Sequence, residues 1–277
     1  MPELPEVQTV VDDLVAAGVA GRRVKRIGVH WPKSIATPSM GAFRSGLAGA
    51  RLASLSRRGK FIVIQLAEKG WLLIHLRMSG HLHLVARGKA RARHEHVVIQ
   101  LEGAPDLRFH DPRKFGRLYW VADSTEILGQ LGPEPLGRGF TGKRLAEMLA
   151  GRRRRLKPLL LDQCFIAGLG NIYVDEALWA SGLHPVTLSN RVDAAAARRL
   201  HRAIRRVLRR GLGNGGTTLS RGEGNFTSVN GRAGRNRDHL AVFRRTGRPC
   251  RRCRTPIARI VVAQRSTHFC PRCQKEA

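Results

Sequence analysis

The chain has 277 residues, 42% of them apolar, enough to bury a real core and to fill two compact domains with a small appendage. Fifty Lys and Arg against 20 Asp and Glu leave a formal charge of +30, far beyond what solubility requires, so a polyanionic partner is expected and nucleic acid comes first. No run approaches the roughly 18 apolar residues of a spanning helix, and the acidic opening is unlike a signal peptide, which argues against a membrane partner and for a cytoplasmic protein.

In chain order, Val7, Val10, Val11, Leu14 and Val15 recur at helical spacing behind Pro5 and Glu6, residues tolerated best in a first turn, so a helix over 5–17 is predicted. From about residue 24 to 121 the pattern changes to short β-type runs, among them 61–64, 71–74, 97–99 and 118–121, divided by Gly, Pro and charged turns. Strands in succession without helices between them predict an antiparallel sandwich. The prolines and glycines of 131–137 mark a linker. Helical patterns follow at Leu145, Met148 and Leu149, at Val174, Ala177, Leu178 and Ala180, and at Leu200, Ile204, Val207 and Leu208, the last ending at Gly211. This third helix carries seven arginines between residues 198 and 210, and the Gly- and Arg-rich stretch 211–239 has no periodicity and is expected to be a mobile loop.

Four of the five cysteines form two CxxC pairs, Cys250 with Cys253 and Cys270 with Cys273, the spacing of a structural zinc site; two disulfides are the alternative and need an oxidising compartment. Arg251, Arg252, Arg254, Arg259, Arg265 and Arg272 around these pairs suit phosphate contact or, more blandly, a solvated basic face. Cys164, among Leu and Ile, reads as a buried packing residue. His75, His81, His83, His94, His96 and His110 fall in the β region, two pairs at alternate positions; a metal site or an ordinary polar strand face both fit. At the start of the chain, removal of Met1 would leave Pro2 as a secondary amine at the positive end of a helix, a possible nucleophile, although most prolines there merely begin a helix.

Six segments taken together, 2–7 (PELPEV), 75–80 (HLRMSG), 111–116 (DPRKFG), 131–136 (LGPEPL), 168–173 (GLGNIY) and the cysteine module, resemble formamidopyrimidine-DNA glycosylase in order and spacing over almost the whole chain. The resemblance implies an α+β protein: an N-terminal antiparallel β-sandwich with an N-terminal helix (1–130), a helix-two-turns-helix DNA-binding domain with a lesion-covering loop (131–240) and a zinc finger (241–277), with DNA in the cleft between domains. It implies a monomeric bifunctional glycosylase and AP lyase, acting on double-stranded DNA with oxidised purines and located with the bacterial-type nucleoid in the cytoplasm. Its nucleophile falls on Pro2, its general acid and proton shuttle on Glu3, its catalytic-site lysine on Lys60 and a further acidic position on Glu6. Met78, Arg113 and Phe115 match the residues that fill the void left by a flipped base, Asn171 and Arg265 the phosphate clamps, and His75, Lys157 and Tyr173 further positions of the binding surface. Cys250, Cys253, Cys270 and Cys273 match the ligands of one structural zinc ion.

The departures gather where specificity is decided. Ser220–Gly224 is rearranged and longer than the family's usual loop, Ser220 stands nearest the place of a usual lysine, Phe243 replaces a frequent tyrosine, and Arg77 replaces the glycine expected before Met78. An endonuclease VIII-like glycosylase for oxidised pyrimidines and a non-catalytic binder of damaged DNA are the competing readings; the Met78, Arg113 and Phe115 set speaks against the first, and Pro2, Glu3 and Lys60 together against the second.

Overall fold

A computed structural model describes residues 1–219 and 226–276, so the rearranged 220–224 stretch lies outside the described residues. The chain gathers into two compact units: Met1–Gln130 with Leu212–Arg237, and Leu131–Gly211 with residues from Asp238 onward. The three-part division expected from sequence differs in two respects: 212–237 packs with the sandwich rather than with the helices that precede it, and the cysteine module from 241 onward belongs to the same unit as those helices.

The first unit opens with α1 (Leu4–Ala16), followed by β1 (Val24–Val29), β2 (Ile35–Thr37), α2 (Met40–Leu47), β3 (Leu52–Arg58), β4 (Phe61–Leu66), β5 (Gly70–His75), β6 (His81–Val85), β7 (Glu95–Leu101), β8 (Asp106–His110), β9 (Arg117–Val121) and α3 (Thr125–Leu128). Two sheets form, ordered β1-β7-β8-β6 and β2-β9-β5-β4-β3. All pairings are antiparallel except β2 with β9, where a three-residue edge strand runs parallel, a departure from the purely antiparallel expectation.

The period-two pleat sorts β4 cleanly: Ile62, Ile64 and Leu66 enter the main core with Val7, Val10, Val11 and Leu14 of α1, while Val63 faces a second apolar layer with Leu73 and Val121. The expected mobility of 211–239 is not what the described part shows. Phe226 and Val229 belong to the main core, Asn236 is fully buried, and Thr217 makes an antiparallel bridge to Arg235. Two isolated apolar residues in a polar stretch produce no periodicity, which is why the sequence pattern could not place them.

The second unit contains α4 (Gly142–Ala150), α5 (Leu156–Leu161), α6 (Asn171–Ser181), most of α7 (Ala194–Gly213) and the hairpin of β10 (Ala258–Val262) with β11 (Arg265–Phe269). α7 buries Ala196, Ala197, Leu200, Ala203, Ile204, Val207, Leu208 and Gly211, a single stripe at helical spacing. Asp193 begins it by accepting the Ala196 N–H at 2.6 Å, and Gly211 leaves room for the ring of Tyr173.

Lys157 of α5 and Tyr173 of α6, both expected on a binding surface, have interior side chains, at 0% and 1% exposure. The Lys157 ammonium lies 2.6 Å from the Asp175 carboxylate and donates to the Ser266 carbonyl at 2.9 Å, while the other Asp175 oxygen accepts the His268 N–H at 2.9 Å. Burial is worth its desolvation here because each charge meets several partners, and the result ties α5, α6 and the hairpin together. Lys157→Met should lower unfolding free energy by about 3–5 kcal/mol in urea titrations, since it strands a buried carboxylate, and Lys157→Met with Asp175→Leu should recover much of the loss. A single variant as stable as the parent would show that the pair is not what holds these elements.

Candidate active site

The chemistry-bearing residues of the first unit gather around the start of α1. Pro2, Glu3 and Glu6 are buried, and Glu3 and Glu6 close a capping box in which the Glu3 N–H donates to Glu6 Oε2 at 2.8 Å. Glu6 also reaches outward, its Oε1 accepting the Thr217 N–H at 2.7 Å. Two turns further along the same helical face, Asp13 accepts the Val229 N–H at 3.1 Å and pairs with the Arg232 guanidinium at 2.7 Å. Two carboxylates seven residues apart therefore strap the 212–237 segment to α1. Sequence reasoning assigned no role to Asp13, yet an acid on the stripe of Val10 and Leu14 was a signal, because a carboxylate at a core-facing position must find partners.

The two-residue turn Gly59–Lys60 joins β3 to β4, with Arg58 paired to Phe61 and Gly59 in the left-handed region at φ 56°, where a glycine closes a tight hairpin without strain. Lys60 is buried at this turn. With Met1 in place, the terminal amine is held below the usual range for such groups; burial is the largest cause, Glu3 and Glu6 oppose it, and Lys60 and Arg113 reinforce it. The structure thus brings Glu3, Lys60 and Arg113 within electrostatic reach of one amine.

His75 ends β5 opposite Phe61, ring edge to ring face at 4.7 Å between centroids. Its pKa is lowered to about 3, first by burial and then by Arg77 and Lys60. The Arg77 N–H donates to His75 Nδ1 at 3.0 Å, so the neutral ring carries its proton on Nε2 and offers a donor there.

Met78, Arg113 and Phe115 lie on two loops, 76–80 and 111–116, and one side chain organises both. Asp111, fully buried, accepts from Ser79 Oγ at 2.6 Å, from the Gly116 N–H at 2.7 Å and from the Arg113 N–H at 3.3 Å. Arg77 and Lys114 adopt left-handed backbone at φ 53° and 61°, turning each loop sharply. The Arg113 guanidinium stacks 4.9 Å from the centroid of Phe115, and both side chains are exposed, whereas Met78 is half-buried. Asp111 was legible as part of a motif but not as the residue that positions these three.

In the second unit Asn171 opens α6 and donates from Nδ2 to the Ser266 carbonyl at 3.0 Å, which sets it beside Arg265. Arg265 is exposed at the tip of the hairpin, where Ala263 and Gln264 both take positive φ. Glu176, also without a role from sequence, accepts the N–H groups of Ala241, Val242 and Phe243 and pairs with Arg210; burial raises its pKa against those bonds. Phe243, at the place of a frequent tyrosine, is buried edge-on to His268.

The four thiols of Cys250, Cys253, Cys270 and Cys273 come within 4.8 Å of one another. Sγ separations of 3.4 Å for Cys253 with Cys270 and with Cys273, and 4.0 Å for Cys250 with Cys273, bracket the roughly 3.8 Å edge of a tetrahedron with zinc–sulfur bonds of about 2.3 Å. N–H donors from Arg252, Cys273 and the Trp179 indole point at the sulfurs, as thiolate ligands require. The donor set fits a structural zinc ion. Cys164, expected to be buried, is exposed in a turn with its N–H on the Asp162 carboxylate, which corrects the packing role. The histidines of the β region lie in a chain of ring contacts about the His110 edge, but among the described residues only the cysteines bring three or more ligand atoms together.

Comparison with known proteins accords with this geometry. The pattern of the formamidopyrimidine-DNA glycosylase N-terminal domain matches residues 1–118, that of the same family's H2TH domain 131–222, and that of the zinc finger found in FPG and IleRS 247–275. The formamidopyrimidine-DNA glycosylase of Protochlamydia amoebophila is 44% identical over 276 residues, covering 100% of both chains. That of Herpetosiphon aurantiacus is 45% identical, covering 99% of this chain and 100% of its own. Among solved structures, Lactococcus lactis Fpg in complex with DNA containing an abasic site superposes with a TM-score of 0.90 at 33% identity, over 99% of this chain and 100% of that one. The same enzyme with DNA containing N7-benzyl-Fapy-dG gives the same score, identity and coverage. Three domain patterns in the family's order and full-length relatives at this identity place the chain in the formamidopyrimidine-DNA glycosylase family.

Proposed function

We propose that this protein is a bifunctional DNA glycosylase and AP lyase of base excision repair that removes formamidopyrimidines and 8-oxoguanine from double-stranded DNA. The observation that carries the reading is the cluster at the head of α1, where Pro2, Glu3 and Lys60 are all buried and Glu3, Lys60 and Arg113 lie within electrostatic reach of the chain's first amine. Removal of Met1 passes the terminal amine to Pro2. The neutral Pro2 nitrogen attacks the sugar C1′ and the bond from C1′ to the base breaks, the base leaving with the electron pair and a proton; the nitrogen gives up its own proton, and the C1′–O4′ bond then opens, O4′ taking a proton as the nitrogen lone pair closes the C1′ iminium. Glu3 supplies and retrieves protons at the sugar. The iminium ion so formed acidifies the C2′ proton; its loss expels the 3′ phosphate, a second elimination expels the 5′ phosphate, and water hydrolyses the remaining Schiff base.

Lys60 and the Nε2 proton of His75 hold the phosphates flanking the sugar, and Asn171 and Arg265 serve as phosphate clamps. Met78, Arg113 and Phe115 fill the void, two as apolar wedges and Arg113 as a donor to the orphaned base. The zinc ion, where bound, supplies folding energy to the hairpin and takes no part in the reaction. One subunit encloses one lesion, so the protein acts as a monomer, in the bacterial cytoplasm at the nucleoid. No helix is long and apolar enough to cross a membrane among the described residues.

Borohydride trapping on duplexes with a single 8-oxoguanine or formamidopyrimidine opposite cytosine, beside thymine glycol and undamaged controls, tests the reading. A covalent adduct on the purine lesions is expected. Preferential trapping on thymine glycol would move the protein to the endonuclease VIII-like branch, and tight binding to the lesions without an adduct would make it a non-catalytic binder.

A further inference from the structure

The long helix α7 carries a second feature that the excision chemistry does not use. At 100° per residue, Arg198, Arg199, Arg202, Arg205, Arg206, Arg209 and Arg210 fall within an arc of roughly 140°, opposite the buried stripe of the same helix. Two of the seven are committed to the fold: Arg205 donates to the Pro135 and Gly137 carbonyls, and Arg210 pairs with Glu176. The other five are exposed, and among the described residues no carboxylate pairs with them. Like charges three and four residues apart weaken a helix, so this face works against the element that bears it.

The patch continues onto α4. His201 Nε2 contacts the Phe140 carbonyl at 2.7 Å, and the stem of Arg198 packs against Gly142, so the two helices adjoin. The first turn of α4 holds Lys143 and Arg144, both exposed, with no acidic residue, although a helix N-terminus disfavours cations. Cations accumulate at two adjoining elements against the local preference of each. A membrane surface is a poor fit, since every large apolar side chain of α7 within the second unit is buried and none is left to enter a bilayer.

We propose that the arginine face of α7, extended by Lys143 and Arg144, is a sequence-independent contact for the phosphate backbone of duplex DNA, additional to the Asn171 and Arg265 clamps. From Arg198 to Arg209 the row rises about 16 Å along the helix, a length over which both strands of a duplex present about ten phosphates. Guanidinium groups suit such a surface because their planar forks bind phosphate oxygens in pairs.

The test is fluorescence anisotropy of an undamaged duplex over a salt series, using the full chain, an Arg202→Ala/Arg206→Ala/Arg209→Ala variant and the same three positions changed to Lys. Alanine is the best helix former, and circular dichroism confirms that the variants remain folded. The alanine variant should bind at least tenfold more weakly at low salt, with the slope of log affinity against log salt reduced in magnitude by about 2.7, and the lysine variant should keep the slope. An unchanged slope in the alanine variant, or an equal loss in the lysine variant, overturns the proposal. Unchanged duplex binding with lost binding of poly-glutamate also overturns it, in favour of an acidic polypeptide partner.

Discussion

Glu3→Gln should slow single-turnover excision of a formamidopyrimidine by about two to four orders of magnitude, the range over which a positioned acid or base acts, while leaving the helix start intact. Glutamine keeps an acceptor for the first turn of α1 and loses only the titrating proton, so the melting temperature should barely move. Pro2→Gly exchanges a secondary for a primary amine and should greatly reduce the borohydride adduct. The two variants separate the roles: Glu3→Gln protein should still be trapped by a pre-formed abasic site, where no base has to leave, and Pro2→Gly protein should be trapped poorly even there. The pH dependence has a definite sign. Attack needs the neutral amine, so the rate should rise with pH until that amine has lost its proton; with Met1 in place, burial holds the terminal amine of this site below its ordinary range, with Lys60 and Arg113 reinforcing the shift. Lys60→Ala removes one lowering influence and should shift that inflection upward. Full excision by Glu3→Gln, or mature protein retaining Met1, would refute the mechanism.

Stripping zinc should loosen the β10–β11 hairpin at its base, because the metal ligands form the small core that flanks it. Cys250 and Cys270 pack with Val242 and Ile257, with Trp179, Cys253 and Cys273 against them, beside a two-stranded ribbon that buries Val262 and Phe269 and would be marginal alone. Apparent zinc affinities of about 10–16 kcal/mol in comparable small folds set the scale of what is lost. Chelation, or Cys270→Ala, should change Trp179 fluorescence and free the Ser266 carbonyl that holds Asn171, so the Asn171 and Arg265 pairing is lost with the metal. Losing charge-assisted phosphate contacts should weaken lesion-DNA binding on the order of 10- to 100-fold. Metal analysis should give one zinc per chain, and metal-free protein that retains the parent's fluorescence and affinity would show that the finger folds on its protein contacts alone.

The residues that sequence placed well are those whose role is written in their near neighbours. The apolar stripe of α1, the β-type runs that became β4, β5, β7 and β9, and the buried stripe of α7 follow from periodicity within one element, and the zinc site from two short spacings. The family motifs likewise carried the start of α1 and the two loops with Met78, Arg113 and Phe115, because each is a short contiguous string, whereas Lys60 stands outside them and the structure sets it at the β3–β4 turn. Tertiary structure alone decided what depends on distant segments meeting. Asp13 finds Val229 and Arg232 across more than two hundred residues, and Phe226 and Val229 enter the core from a stretch with no pattern. Lys157 reads as a surface cation until Asp175 and Ser266 surround it, Cys164 as a core residue until its turn faces solvent, and Asp111 as one motif letter until Ser79 and Gly116 bond to it. Periodicity records which face of an element is dry; it cannot record which distant partner satisfies a buried charge, since that is fixed only when the chain has folded back on itself.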